Sequence, residues 1–366
     1  MALIWMDGFD SYGPVVAARG VYNNAAFNTL MLSSGYVFCQ GVGVENDTRT
    51  GYGKSLWMTW DSLGTPSDWR LAFLPKDEII VGFAFKFTST DLANIIEFQF
   101  DDRLGTVTPQ MRVYANAEGG ISLSADGGTT LTAASGPNII FPNVWQYLEI
   151  RYRPNKTEGT IIVKVEGQTC IQFDGKTSQM TTPNQVNMIR FRTPAGEFNI
   201  GTQQNPVKRY DDLYVCDTLG SGFNTFQGDV IVHSVKVVSD QGPNSLSQFG
   251  GEVGHYAAVD EFPPDDDVSY LYTNTLGDRE MFGIDALPAN IVDVLAVSTH
   301  VRAKKDAPGT SALQCVTQYQ THEARGAVQP LAVQYTTKNQ FLEQCPDGTG
   351  WTKAKAEALV VGFEVA

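Results

Sequence analysis

Paired acids, four scattered histidines and a tryptophan cluster are the residues of this chain with the means to do chemistry. His233, His255, His300 and His322 lie far apart, and none sits in an HExxH or HxH pattern. No GxSxG elbow occurs, so a strained nucleophile turn is not indicated. A Ser/His/Asp triad has no fixed order along a chain, and nothing here argues for one. Gly41-Val42-Gly43 and Gly51-Tyr52-Gly53 lack the third glycine and the βαβ setting of a dinucleotide site. Trp57, Trp60 and Trp69 cluster with Tyr52 in Gly51–Arg70. Exposed, such rings stack on sugars or anchor a partner; the plainer expectation is that they fill a core or its rim. For Asp211 and Asp212, as for Asp7 and Asp10, the plain expectation is a carboxylate accepting backbone N–H bonds at a strand end, because buried carboxylates survive only when hydrogen-bonded. Pro263-Pro264-Asp265-Asp266-Asp267 reads as a stiff, solvated acidic turn within reach of a neighbouring subunit.

Composition narrows the function classes. The 366 residues predict two domains. With 42% hydrophobic and 11% aromatic residues, a disordered chain is excluded. Charged residues are 18%, below the roughly 25% usual in soluble proteins, so Thr, Ser, Asn, Gln and Gly must form much of the surface. The net charge is −14 and no Lys/Arg-rich run occurs, so nucleic acid is not an expected partner. Five cysteines without a CxxC suggest neither zinc nor a disulfide framework. Buried free thiols are expected, and the spacing leaves a Cys315–Cys345 bridge open. The start, MALIWMDGFDSYG, has no basic n-region or long apolar h-region, so synthesis in a cytosol without a signal peptide is expected. No apolar stretch approaches the roughly 20 residues of a membrane span.

The elements that must position these residues are strands. Ile79, Val81, Phe83, Phe85 and Phe87 alternate, as do Ile96, Phe98 and Phe100. Leu148, Ile150 and Tyr152 alternate with Glu149, Arg151 and Arg153, and Ile189 and Phe191 with Arg190 and Arg192. Ile161, Val163 and Val165 lead to Glu166-Gly167, a hairpin turn, and Asp126-Gly127-Gly128 is another turn signal. Val230–Val238 and Ile291–Ala303 read as longer strands, with Leu313–Gln320, Leu331–Thr336 and Leu359–Val365 after them. Helix is sparse: a turn in Pro66–Leu74, and a short helix in Trp351–Leu359 capped by Thr352. The Gly/Ser/Asn/Gln-rich stretch 239–254 reads as a linker. The expected architecture is therefore all-β: a large sandwich over 1–238, the linker 239–254, and a smaller β domain over 255–366.

Three segments carry a resemblance. Met6-Asp7-Gly8-Phe9-Asp10-Ser11-Tyr12, the run Trp145–Gly167 and Tyr210-Asp211-Asp212-Leu213-Tyr214-Val215 resemble, in order, strands of concanavalin A-like, LamG-type jelly rolls in phage structural proteins. Val259–Asp265, Trp351-Thr352 and Val361–Val365 add to the likeness, which spans almost the whole chain. The resemblance implies a non-enzymatic virion component near the tail or collar, made in the host cytoplasm and working through contacts with other virion proteins and copies of itself. It also implies an alternative, a host-attachment adhesin gripping a surface glycan on Tyr52, Trp57, Trp60 or Trp69. Calcium at Asp211 and Asp212 follows from LamG-like relatives, although calcium needs 6–8 oxygens and the pair supplies part of that set. The fold also hosts glucanases, whose ExDxxE strand is approached by Glu45-Asn46-Asp47-Thr48-Arg49-Thr50, but its third acid is missing.

Overall fold

The computed structural model describes residues 2–13, 25–58, 67–89, 94–125, 131–179, 182–193, 207–220 and 222–366. The chain divides into two compact units, Met1–His233 and Ser234–Ala366.

The first unit is a jelly-roll sandwich of two antiparallel sheets. One holds, in spatial order, Gln168–Gly175, Gly159–Val165, Gln146–Arg153, Ile79–Phe87, Lys208–Asp217, Ser55–Met58 and Val42–Glu45, with Leu3–Asp7 also paired to Lys208–Asp217. The other holds seven strands: Ala133–Ala134, Ile121–Ser124, Val107–Ala115, Asn94–Asp101, Val186–Arg192, Asp68–Lys76 and Tyr36–Gln40. Period-two alternation sends one apolar row of each strand into the space between the sheets. Trp69 and Phe191, neighbours in the seven-stranded sheet, stack with centroids 4.0 Å apart and planes 4° from parallel. Tyr210 of the opposite sheet meets Trp69 edge-on at 6.0 Å, and Phe83 meets Phe191 at 5.2 Å. Phe98 and Tyr152 make a second bridge between the sheets at 4.5 Å. The expected hairpin forms: Val165 faces Gln168, and Glu166 and Gly167 both take positive φ, 50° and 73°, as a type I′ turn requires.

The larger sheet is covered on its outer side by the segment 222–233. Gly228 N–H donates to Glu149 at 2.9 Å, Gln227 N–H to the Tyr214 hydroxyl at 3.3 Å, and Val232 N–H to Asp212 at 2.8 Å. This cover buries Gln146–Ile150 on both faces. Tyr214 lies across Gly82, where a Cβ would come within 2.1 Å of its ring, so the covered sheet needs glycine there.

The second unit is a smaller β structure. Its main sheet orders Val237–Asn244, Arg279–Ile284, Leu359–Val365, Ala312–Tyr319 and His322–Arg325, with Gln329–Pro330 also on Ala312–Tyr319. Val297–Ala303 pairs with Thr336–Leu342, and Ser247–Phe249 with Tyr270–Tyr272. Thr299 and Thr317 hydroxyls meet at 2.9 Å, and Thr317 donates to Gln340 at 3.3 Å, joining two of these sheets by polar contacts. Cys345, Trp351 and Leu359 form a buried cluster beside them.

Several expectations are corrected. Of the turn expected in Pro66–Leu74, the described residues 67–74 hold no helix; the strand Asp68–Lys76 runs there because Trp69 and Leu71 alternate into the core. The stretch 239–254 is not a free linker, since it carries most of Val237–Asn244 and all of Ser247–Phe249, both paired. Ile291–Ala303 is strand from Val297 onward, Val230–Val238 from Val237, and the strand expected at Leu331–Thr336 starts at Thr336. The helix Ala25–Ser33, burying Phe27 and Met31 one turn apart, was not foreseen. The C-terminal helix is present at Lys353–Glu357, and Thr352 accepts the Lys355 N–H at 3.2 Å as its cap. All five cysteines are free, so Cys315 and Cys345 do not pair. Asp126-Gly127-Gly128 lies outside the described residues.

Trp69→Ala is expected to destabilise the first unit by about 3–5 kcal/mol, read from denaturant unfolding. A loss below about 1 kcal/mol would show that the ring stack does not hold the sheets together.

Candidate functional site

Among the described residues, the predicted aromatic patch does not form. Trp69 is fully buried between the sheets, and Trp57, 4% exposed, lies over Gly43 in the opposite sheet. Tyr52 is exposed on a turn, and Trp60 lies outside the described residues. Neither Trp57 nor Trp69 offers a ring face to a ligand: Trp69 fills the core, and Trp57, in register with Arg209 on the outer row of its sheet, is itself covered.

Asp211 and Asp212 are buried at a bulge of the Lys208–Asp217 strand, where Asp212 takes a φ of 54°. Asp211 accepts the Asp212 N–H at 3.0 Å. Asp212 accepts the Val232 N–H at 2.8 Å and faces the Arg49 guanidinium at 3.2 Å. Arg49 also pairs with Asp229, donates to Val230 O at 2.7 Å and lies over the Tyr147 ring. Burial, with Asp212 and Asp10 nearby, pushes the Asp211 carboxyl well up; burial also raises Asp212, against the pull of Arg49. Each acid accepts a backbone N–H, Asp212 Oδ2 meets Arg49 without a hydrogen bond, and no three His, Cys, Asp or Glu residues gather to hold a metal among the described residues. Asp7 likewise serves the chain itself, accepting Phe9 N–H at 2.7 Å and the Tyr12 and Tyr36 hydroxyls at 2.8 Å each. Glu45 pairs with Arg209, while Asp47 holds Lys86 at 3.0 Å and Arg209 at 3.0 Å. The strand once compared with glucanase acids thus carries a structural ion-pair network.

The site that does assemble lies on the outer face of the seven-stranded sheet. Register places Ser124, Arg112, Glu97, Arg190, Arg70 and Phe38 directly opposite one another across six consecutive strands. A second row sets Gln40, Asp68 and Arg192 side by side, and on the other flank Ser122, Tyr114 and Asn94. Each of these residues alternates with a core residue: Arg190 and Arg192 with Phe191, Asp68 and Arg70 with Trp69, Glu97 with Phe98, Arg112 with Val113. The same alternation that fills the core therefore builds the face.

Its electrostatics are unusual. Glu97 is fully buried and surrounded by Arg192 at 3.5 Å and by Arg112 and Arg190 at 3.6 Å each, ion-pair range without a hydrogen bond. Asp68 binds Arg70 at 2.7 Å and holds Arg190 through both oxygens. Burial works against the Asp68 charge, but hydrogen bonds from Arg70 and Arg190 hold its carboxyl below the usual range. Burial lowers the Arg192 pKa, and Arg190 and Arg112 lower it further by like-charge repulsion, against the attraction of Glu97. Gln99 donates to Glu97. Glu97 Oε2, Gln99 Oε1, Arg112 Nε, Arg192 Nε and both side-chain polar atoms of Asn94 are buried without a hydrogen-bond partner among the described residues. Native interiors leave few such groups, and a concentration of them on one face calls for an explanation. Sequence reading found the Arg190/Arg192 alternation but not its neighbours, since only pairing brings six strands' outward residues into one row.

No family model matches the chain, and no curated protein matches it. Solved structures similar to it include a sialidase, with 13% identity and a TM-score of 0.37 over 58% of this chain and 18% of that one. Alginate lyase Aly36B shares 12% identity at a TM-score of 0.36, covering 57% of this chain and 95% of that one. The cellulose induced protein Cip1 shares 11% identity at 0.38, over 58% and 96%.

The buried acid pair sets a pH dependence. Asp211 keeps its proton in the folded state to higher pH than in the unfolded chain, so its contribution is intact below the ordinary aspartate pKa and is lost as pH rises through the raised one. Asp211→Asn is expected to raise the melting temperature at pH 8 by about 2–4 °C and to leave it nearly unchanged at pH 4. An equal shift at both pH values would remove titration as the cause.

Proposed function

We propose that this chain is a non-enzymatic protein of a phage particle that binds a host-surface carbohydrate on the outer face of its seven-stranded sheet. The observation that carries the binding reading is the row of opposed polar side chains with buried, unpartnered donors and acceptors at its centre. Sugar hydroxyls donate and accept at once, so a saccharide laid on the face meets both kinds of group; Glu97 and Gln99 are buried, and their contacts form as the neighbouring guanidiniums of Arg112 and Arg192 turn from Glu97 to the ligand. A rigid sheet holds these groups in place, so little ordering cost opposes binding. The virion setting is supported by the ordered motifs at Met6–Tyr12, Trp145–Gly167 and Tyr210–Val215. In that setting the protein is made in the host cytoplasm and assembles with tail or collar proteins and with copies of itself, and multivalent display raises the avidity of a weak single site. It works without a cofactor.

The test is a polysaccharide panel probed with the wild type and with Gln99→Ala. The wild type is expected to bind at least one bacterial surface polysaccharide. The variant is expected to lose about tenfold in affinity, the worth of one hydrogen bond to a buried polar group. Release of reducing ends or unsaturated sugars during the assay would replace the binding reading with a catalytic one.

A further inference from the structure

We propose that the ligand of this face is a carboxylate-bearing polysaccharide, a polyuronate-type chain whose negative charges are widely spaced. The inference rests on the carbohydrate reading above and names the class of sugar.

Charge points to an anion. Arg70, Arg112, Arg190 and Arg192 set four guanidinium charges against the two carboxylates Asp68 and Glu97, so the centre of the face is positive in a chain whose net charge is −14. Three guanidiniums share Glu97 and none hydrogen-bonds to it at normal distance. Arg112 Nε–H and Arg192 Nε–H face Glu97 Oε2 at 3.6 and 3.5 Å without hydrogen-bonding to it. The planar guanidinium matches a carboxylate in a two-point bond, the strongest partner such donors can take.

The acceptors on the same face narrow the choice. Glu97 Oε2 and Gln99 Oε1 have no hydrogen-bonded donor, and a sulfate brings none, whereas a sugar hydroxyl does. A neutral sugar brings the donors without the anion. A uronic acid brings both on one ring. Asp68 and Glu97 also stand in the path of any densely charged polyanion, nucleic acid included.

The experiment is calorimetric titration of the full chain with three oligosaccharides of equal length: a uronate oligomer, its carboxyl-reduced neutral counterpart, and a sulfated oligomer, with single-stranded DNA as a fourth ligand. The uronate is expected to bind at least tenfold more tightly than its reduced counterpart, with an affinity that falls as salt is added. Arg112→Gln and Arg192→Gln are each expected to weaken it about tenfold, while Arg112→Lys, which keeps the charge and loses the fork, weakens it less. The comparison of native and reduced oligomers uses the wild type alone, so it stands even where a variant folds poorly. Equal binding of the reduced oligomer overturns the anionic class and leaves the carbohydrate reading standing. Tighter binding of sulfated sugar or DNA overturns it in favour of those anions. Binding of no saccharide at all defeats both readings.

Discussion

The stacking of Trp69 on Phe191 is the contact on which the first unit depends. It joins adjacent strands of the seven-stranded sheet and presses both rings against Tyr210 and Phe83 of the opposite sheet. A strand has a side-chain period of two, so fixing these rings inward fixes Asp68, Arg70, Arg190 and Arg192 outward. A slip of one residue would drive guanidiniums into the core and send the rings to water. The core packing and the arginine face are therefore one register decision read from two sides.

The two sides of the sandwich treat their outer surfaces differently. The eight-stranded sheet is closed by the segment 222–233, and its buried acids Glu149 and Asp212 are spent on backbone N–H groups of that cover. Asp211 accepts a backbone N–H beside them. The seven-stranded sheet gathers six buried polar atoms without a hydrogen bond, where those covered acids leave Asp212 Oδ2. A buried carboxylate among guanidiniums beyond hydrogen-bond distance costs stability that an apolar residue would not. Sites that trade stability for ligand contacts carry this signature, and it separates the arginine face from the ion-pair network of Glu45, Asp47, Lys86 and Arg209, where every charge meets an opposite one.

Aromatic residues illustrate how sequence alone misplaces a site. Trp57 and Trp69 stand close together along the chain and suggested a common platform, yet they belong to opposite sheets and both point into packing. Large rings carry more burial energy than any other side chain, and a sandwich interior takes them first. The arginines gave a fainter signal, because an arginine between two apolar residues also describes an ordinary solvated strand face.

The sequence by itself determined the all-β class, the inward rows of most strands of the first unit, the Glu166-Gly167 hairpin and the Thr352 helix cap, because each depends on residues within a few positions of one another. It determined as well that Asp7 accepts backbone N–H bonds rather than standing in water. Only the tertiary structure decided which strands lie side by side. That pairing joins Arg70, Glu97, Arg112 and Arg190, from four separated stretches of chain, into one row. Cross-strand order is set by the packing of the whole core, an energy no local window contains.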